Sequence, residues 1–191
     1  VLGCVIGGIK VTGLNPDSQQ GDKLILDILK RCGGKFKPVE GGLHFDRSLL
    51  KATEIDLADC PDLGPILFTL GCFCSGETVI RNAGRLRLKE SDRIEAMQTE
   101  LRKMGARIEV DGDTVHIQGV ALHAPNAPLS GHNDHRIVMA LAVAAIASGL
   151  PALLCGAEAV DKSWPAFWSV LRGLGAKVEL NTDDQEDVDI S

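Results

Sequence analysis

The sequence predicts an α/β fold in which one structural unit occurs three times, with the first copy shortened. The main observation is a pattern in which a helix closes, a glycine follows and an alternating strand begins, found in residues 30–36, 102–108 and 172–178. Its glycines, Gly33, Gly105 and Gly175, stand where a helix C-cap is expected and are 72 and 70 residues apart. Regular spacing of this kind is typical of an internal repeat.

A second helix repeats in the same register. One apolar run follows Asp62 as far as Gly76, another follows Asp134 as far as Gly149, and each indicates a buried helix with an aspartate near its N-cap. Residues 2–8 align with residues 70–76, so we expect only the end of this helix in the first copy. The chain is therefore expected to begin partway through a helix.

Each unit is expected to be of the βαβαββ type. Its buried helix should be followed by a strand, a loop, an amphipathic helix and finally the two strands of a hairpin. The hairpin of the second unit is predicted in residues 107–110 and 115–118, around an Asp-Gly-Asp turn. The amphipathic helices should bury residues at helical spacing: Ile94, Met97, Leu101 and Met104 in the second unit, and Trp164, Phe167, Trp168, Leu171 and Leu174 in the third.

The three units are expected to form one domain, with boundaries at about 1–56, 57–119 and 120–180. Residues 181–191 contain five acidic residues, no basic residue and little that could be buried. Such a composition predicts a mobile tail with no catalytic role.

Composition limits the classes of function. The chain has 191 residues, of which 45% are hydrophobic, as in soluble globular proteins. No apolar run reaches the roughly 18 residues of a membrane span, and the first residues lack a signal-peptide pattern, so we expect a cytoplasmic protein. The six cysteines form no CxxC pair and are expected to be reduced core thiols. A net charge of −6 argues against a nucleic-acid surface, so any anion site must be local.

Charged residues open the second amphipathic helix. Lys89, Glu90 and Arg93 lie there, with Ser91 or Asp92 as the expected cap. A helix N-terminus offers free N–H groups and the positive end of a dipole, so added cations would make a strong anion site. The same cations oppose the dipole, and the alternative is a helix start whose charges are only solvated.

Asp134, His135 and Arg136 open the buried helix of the third unit, which is otherwise apolar. A charge at the start of a buried helix needs a partner. Either Asp134 pairs with Arg136 in a purely structural site, or Asp134 caps the helix while Arg136 holds a ligand.

Lys162 lies just before the third amphipathic helix and is the counterpart of Lys89 in the repeat. If helix starts of one kind face a common rim, the cations at these starts would together suit a small polyanion. Asp62, near the same rim, either caps its helix or accepts a proton from a hydroxyl group, and Glu90 is the candidate for a second, proton-donating carboxyl group.

Several segments together resemble the enolpyruvyl transferases, specifically the shikimate-pathway branch of that family. They are residues 86–94 (LRLKESDRI), 100–106 (ELRKMGA), 133–140 (NDHRIVMA) and, more weakly, 162–165 (KSWP). The resemblance implies an alpha-beta prism, an inside-out barrel with helices buried and sheets outside. It also implies transfer of the enolpyruvyl group of phosphoenolpyruvate to the 5-hydroxyl of shikimate 3-phosphate, with release of phosphate and without a metal or organic cofactor.

The resemblance assigns a role to each charged residue. Phosphoenolpyruvate would be held by Arg93, Arg136 and Lys162, with Asp134 and His135 in support. Shikimate 3-phosphate would contact Asp62, Lys89 and Arg85. Asp62 would be the base toward the hydroxyl group and Glu90 the proton donor to carbon, while Lys89 steadies charge between them.

The sequence departs from the family pattern at two places and in length. Arg85 stands where the family often has a substrate-binding asparagine, and residues 159–161 stand where a threonine and a basic residue are common. Family chains fold into two such domains with the site in the cleft between them. This chain would therefore supply one wall, be inactive alone and have the missing half, the N-terminal one, as its partner.

Other functions remain open from sequence. One is the related enolpyruvyl transferase that acts on a nucleotide sugar, although residues 89–93 and 135–136 favour the shikimate branch. RNA 3'-phosphate cyclase has a related fold, but it needs a nucleotide and the acidic composition argues against it. A non-catalytic domain that binds an anion or acts as a scaffold is the alternative from another class, and the apolar helix edge near Val1 would suit a partner.

Overall fold

The computed structural model describes residues 1–15, 17–180 and 187–191. Within these residues the structure has six α-helices: α1 Leu2–Ile6, α2 Ile25–Arg31, α3 Gly64–Phe73, α4 Arg93–Lys103, α5 His135–Ser148 and α6 Phe167–Gly173. Four 3₁₀ helices cover Gly21–Leu24, Pro61–Leu63, Ala83–Leu88 and Ala157–Lys162. None of the helices in these ranges is both long enough and apolar enough to cross a bilayer.

The described strands form three separate sheets of similar design. The strands are β1 Ile9–Thr12, β2 Lys35–Val39, β3 Gly42–Asp46, β4 Glu54–Asp56, β5 Glu77–Arg81, β6 Arg107–Asp111, β7 Thr114–Gln118, β8 Leu129–Ser130, β9 Ala152–Cys155, β10 Val178–Leu180 and β11 Asp187–Ile190. The sheets have the orders β1-β3-β2, β4-β5-β7-β6 and β8-β9-β11-β10. In both four-stranded sheets the first pair is parallel and the other pairs are antiparallel. The fold is thus mixed α/β.

Helices α3 and α5 lie in the core and pack against each other. Their apolar residues are buried around most of each helix, as the sequence predicted for these two segments. Thr69 is the buried polar residue between them, and its hydroxyl donates to the Ala140 carbonyl at 3.0 Å. The two helices also pack against α4 and against strands β7, β9 and β11, and charged residues lie at their N-terminal ends.

The amphipathic helix α4 buries the four predicted residues, whereas α6 buries only part of its predicted set. Phe167, Trp168 and Leu171 are buried, but Trp164 and Leu174 are 44% and 47% exposed, so their prediction as core residues is wrong. Helix α6 begins only at Phe167, because the residue before Pro165 is biased away from the helical region. Trp164 therefore lies outside the helix.

The glycines that close the three amphipathic helices adopt the predicted conformation. Gly33, Gly105 and Gly175 have φ values of 82°, 86° and 93°, in the left-handed region that favours glycine. Each redirects the chain from a helix toward the next strand. The predicted hairpin is also present, as β6 and β7 with Gly112 in the turn.

The predicted mobile tail is wrong for residues 187–190. They form β11, which pairs with β9 and β10, and Val188 and Ile190 are buried. The many acidic residues concealed a short alternation in which every second side chain is apolar. The rest of the predicted tail, residues 181–186, lies outside the described residues.

The cysteines agree with the prediction of core thiols. All six are unpaired, and five of them are buried. They contribute apolar volume to the core.

Candidate active site

The charged residues singled out in the sequence meet at the N-terminal ends of α3, α4 and α5. The 3₁₀ turn Pro61–Leu63 leads into α3 and carries Asp62, while Asp92 and Asp134 are the N-caps of α4 and α5. Lys89 and Lys162 lie at the ends of the 3₁₀ helices that precede α4 and α6. The predicted common rim is therefore present for most of these residues.

The Asp62 carboxylate is the centre of the cluster and contacts three cations. Lys89 Nζ lies 3.0 Å and Arg93 Nη1 3.2 Å from Oδ1, and Arg136 Nη2 lies 3.2 Å from Oδ2. Arg136 also donates to the Asp62 carbonyl at 3.1 Å and lies 3.8 Å from Asp22. Neither the 3₁₀ turn nor α3 has a side-chain cap, so the alternative in which Asp62 caps its helix is wrong.

These cations keep Asp62 ionised. Partial burial alone would raise the pKa of Asp62, but the hydrogen bond from Lys89 and the charges of Arg136 and Arg93 outweigh it, and the pKa lies below its usual value. A carboxylate in this state is a weak proton acceptor as long as the three cations remain on it.

Asp134 forms a buried ion pair with Arg93. Arg93 Nε donates to Oδ2 at 2.7 Å and Nη2 donates to Oδ1 at 3.1 Å, and both side chains are almost inaccessible to solvent. Ser91 Oγ donates to Oδ2 at 3.0 Å, and the Arg136 amide donates to Oδ1 at 2.9 Å. Burial would raise the pKa of Asp134, but these donors, above all Arg93, lower it.

This arrangement decides between two predicted alternatives. Asp134 caps α5 and does not pair with the guanidinium of Arg136, which is directed to Asp62 instead. The cap of α4 is Asp92, which accepts from the amides of Ile94 and Glu95 at 3.1 Å, while Ser91 serves Asp134. Arg93 can occupy the unfavourable start of α4 because a buried carboxylate neutralises it.

Glu90 and His135 form a second, more exposed pair beside the cluster. Glu90 Oε2 lies 3.2 Å from His135 Nδ1, and the Glu90 side chain is 42% exposed. The Glu90 carboxyl group therefore reaches solvent. Within the described part of the chain, Glu90, Asp134 and His135 bring ligand-type atoms within 4.8 Å of one another. Each Asp134 oxygen already accepts two hydrogen bonds, so hydrogen bonds within the protein account for this grouping.

Lys162 and Arg85 stand apart from Asp62. Lys162 Nζ donates to the Asn133 carbonyl at 2.5 Å and to Asn133 Oδ1 at 2.7 Å. Arg85 is exposed and donates to the Ala58 carbonyl at 3.4 Å. Lys162 thus borders the cluster through Asn133, next to Asp134, whereas Arg85 contacts the backbone at Ala58, which precedes Asp62 in the chain.

Sequence reasoning missed several residues of the cluster. Asp22 and Asn133 received no role, and Ser91 was considered only as a cap. Their contacts join residues far apart in the chain, and no local motif reports such contacts. The sequence offered one signal, because Lys162 was predicted to be the counterpart of Lys89, and each of the two lysines binds an acceptor at the start of a buried helix, Asn133 and Asp62 respectively.

Comparison with known proteins identifies the family. The family described as EPSP synthase (3-phosphoshikimate 1-carboxyvinyltransferase) matches residues 1–171. The 3-phosphoshikimate 1-carboxyvinyltransferase of Clostridium acetobutylicum is 43% identical over 92% of this chain, and that of Methanocaldococcus jannaschii is 39% identical over 90%. The chain spans only 40% of the length of each of these curated relatives.

Solved structures agree with this assignment. The EPSP synthase of Acinetobacter baumannii superimposes with a TM-score of 0.73 at 26% identity, over 90% of this chain and 43% of that one. The enolpyruvyl transferase NikO from Streptomyces tendae has a TM-score of 0.69 over 82% of this chain and 36% of that one, and at 23% identity it supports the fold alone. The family match covers nearly the whole chain and agrees with the fold. The chain therefore belongs to the EPSP synthase (3-phosphoshikimate 1-carboxyvinyltransferase) family.

Proposed function

We propose that this chain forms one wall of an active site that transfers the enolpyruvyl group of phosphoenolpyruvate to the 5-hydroxyl of shikimate 3-phosphate and releases phosphate. The observation that carries the proposal is the convergence of Lys89, Arg93 and Arg136 on Asp62. Because these cations meet at one partly exposed carboxylate, a ligand anion that displaces Asp62 would find a local anion site on a chain of net charge −6.

The contacts divide the substrates between two sides of the cluster. Arg136 and Lys162 would hold the phosphate and carboxylate of phosphoenolpyruvate, supported by His135. Arg93 would reach the ligand mainly through Nη1, which contacts Asp62 in this structure, because Nε and one N–H of Nη2 are bound to Asp134. Its main effect on the ligand is then a fixed positive charge at the floor of the site.

Shikimate 3-phosphate would contact Asp62 and Lys89, with Arg85 at the edge of the site. Asp62 contacts both Lys89 and Arg136, so an incoming anion must compete with this carboxylate. When the cations turn to the substrates, the interactions that lower the pKa of Asp62 weaken. Substrate binding would thereby make Asp62 a better proton acceptor.

The reaction needs two carboxyl groups in addition to the cations. In the addition step, Asp62 accepts the proton of the 5-hydroxyl group, the oxygen bonds to C2 of phosphoenolpyruvate, and Glu90 donates a proton to C3. In the elimination step, a proton returns from C3 to a carboxylate, the C2–C3 double bond forms again and phosphate leaves with the C2–O electron pair. Lys89, beside both Asp62 and Glu90, stabilises the changing charge.

A second wall would come from protein outside these 191 residues. Leu88, directly before Lys89, is 87% exposed, as expected of an apolar side chain that another surface covers. An apolar groove of about 360 Å³ also adjoins Asp62 and Arg136, with Met139 and Val143 of α5 in its lining. Relatives more than twice as long as this chain contain enough protein to cover both features.

We further propose that the chain consists of three copies of one unit and forms a single prism-shaped domain, with the predicted bounds 1–56, 57–119 and 120–180 moved so that β4 joins the second copy and β11 joins the third. The shared strand order of the two four-stranded sheets supports this proposal, as does the packing of the buried helices α3 and α5 against strands of these sheets. The three-stranded sheet repeats the same hairpin arrangement with one strand fewer.

Calorimetric titration with shikimate 3-phosphate and with inorganic phosphate tests the anion site. Lys89→Ala should weaken binding by about 10-fold or more, the size of a lost charged hydrogen bond, while Lys37→Ala on exposed β2 should not. Asp62→Asn should strengthen phosphate binding, because a competing carboxylate is removed. Equal affinities in Lys89→Ala and wild type, or weaker binding by Asp62→Asn, would count against the proposed site.

A further inference from the structure

The loop that leads into α5 has an unfavourable backbone conformation at two successive residues. His132 and Asn133 have φ values of 51° and 53°, in the left-handed region that side chains other than glycine seldom adopt. Such residues persist only where their surroundings enforce the conformation, and they cluster at functional sites. The contacts of this loop therefore need a physical explanation.

Glu100 supplies those contacts from inside the protein. It lies on α4, is only 1% exposed, and its Oε1 is 3.1 Å from His132 Nε2. Its Oε2 accepts from the Ser130 amide at 2.8 Å and from Lys103 Nζ at 2.7 Å. One buried carboxylate thus holds the backbone on one side of Gly131 and a side chain on the other.

The loop is also packed closely at Gly131. A Cβ atom at this position would lie 2.5 Å from a methyl group of Val138 and 3.0 Å from the carbonyl oxygens of Cys155 and Gly156. Gly131 also donates to the Cys155 carbonyl at 2.8 Å and accepts from the Asp134 amide at 2.9 Å, so the His132–Glu100 contact acts on a loop that is already held beside β9 and α5.

What the loop presents to the site is Asn133. Both of its oxygens accept from Lys162 Nζ, at 2.5 and 2.7 Å. Lys162 is itself exposed and ends a 3₁₀ helix, so the two oxygens of Asn133 restrict where its ammonium group lies. The chain of contacts runs from buried Glu100 through His132 and Asn133 to Lys162.

We infer that Glu100 and His132 are positioning residues that hold Lys162 in place for an anionic ligand. That the ligand is a phosphate-bearing substrate rests on the proposed function, whereas the positioning itself rests on the contacts alone. Glu100 also neutralises Lys103, so its own replacement would disturb α4. His132 is the better residue to vary, because its side chain is 34% exposed and leaves no buried cavity when removed.

The first test measures the reactivity of Lys162 without any ligand. His132→Gly removes the contact with Glu100 and also relieves the left-handed backbone, so the fold should be retained, which a thermal scan checks. Reductive methylation read by mass spectrometry should be slower at Lys162 than at exposed Lys37 in the wild type. In His132→Gly the Lys162 rate should rise toward the Lys37 rate, and His132→Gln, which can donate to Glu100 again, should restore it. An unchanged Lys162 rate in His132→Gly would overturn the inference.

The second test is a double-mutant cycle with inorganic phosphate as the probe. His132→Gly should weaken phosphate binding by about two- to tenfold, in the range of coupling between residues joined by contacts. In a Lys162→Ala background the same change should have no further effect, because the residue that it positions is gone. Full additivity of the two losses would overturn the inference. If the wild type bound no phosphate, the proposed function would fail, while the methylation rates would still decide the positioning role.

Discussion

Replacing Asp134 with asparagine tests whether the buried ion pair with Arg93 holds the site together. Asparagine keeps the shape of the side chain but removes its charge. It also replaces one carboxylate oxygen by an NH₂ group, which cannot accept the hydrogen bonds that this oxygen accepts. Breaking a buried pair costs about 3–5 kcal/mol, because the remaining charge stays buried. Arg93 keeps Asp62 at 3.2 Å as a second partner, so we expect the lower end, about 3 kcal/mol.

Urea unfolding followed by the fluorescence of buried Trp168 measures this loss of stability. A loss of about 3 kcal/mol should lower the melting temperature by roughly 6–12 °C in a chain of this length. The matched control is Asp111→Asn, on the exposed end of β6, which should change stability by no more than about 0.5 kcal/mol. A loss below about 1 kcal/mol in Asp134→Asn would refute the argument, since it is the size expected of an exposed pair.

Three further predictions concern pH, the C-terminal strand and two glycines. Because the pKa of Asp134 is lowered in the folded chain, its stabilisation is complete above the unfolded value of about 3.9 and is lost as the pH falls through the folded pKa. The difference in free energy of unfolding between wild type and Asp134→Asn, measured by urea unfolding, should therefore become smaller below about pH 4. A difference that becomes larger as the pH falls would contradict this. Val188→Ala should lower the free energy of unfolding by about 2 kcal/mol, because a buried side chain is shortened, while Asp189→Ala at an exposed position should change it little. Equally small effects of the two substitutions in urea unfolding would mean that β11 is not part of the fold. Gly131→Ala should lower the free energy of unfolding by about 1–3 kcal/mol, because the added methyl group meets α5 and two carbonyl oxygens. Gly173→Ala, in open space at the end of α6, should raise it by up to about 1 kcal/mol. Thermal scans compare the two variants, and a less stable Gly173→Ala than Gly131→Ala would contradict the packing.

Most of the fold could be predicted because its signals are local. The glycines after the amphipathic helices, the apolar runs of α3 and α5, and the alternation in β6 and β7 each lie within a few consecutive residues. Repetition of the same order along the chain strengthened each signal. The errors fell where local signals conflict, as at Trp164, whose apolar side chain precedes a proline, and at Val188, which is surrounded by acidic residues.

The sequence predicted that charged residues at helix starts come together, but it did not predict how they pair. The sequence indicated that Lys89, Arg93 and Arg136 lie at helix starts, and the structure brings all three to Asp62. It did not indicate which carboxylate each cation meets, since these pairs join residues more than 25 positions apart. The choice depends on how α3, α4 and α5 pack, and no motif within one helix contains that information.

Glu100 is the clearest example of a residue that sequence could not assign. It lies in the middle of an amphipathic helix, where a glutamate is normally a solvated residue on the outer face. The structure buries it against a loop about 30 residues further along the chain. Only the approach of β8 to α4 makes this carboxylate part of the site.

Phosphate release by a reconstituted enzyme tests the central claim most directly. This chain would be mixed with the part of the Clostridium acetobutylicum relative that it does not cover, in the presence of phosphoenolpyruvate and shikimate 3-phosphate. We predict no turnover by either part alone and turnover by the mixture, with Glu90→Gln lowering the rate by about 100-fold or more, as expected for a lost proton donor. No turnover in a mixture shown to associate, or turnover that Glu90→Gln and Lys89→Ala leave at the full rate, would contradict the account.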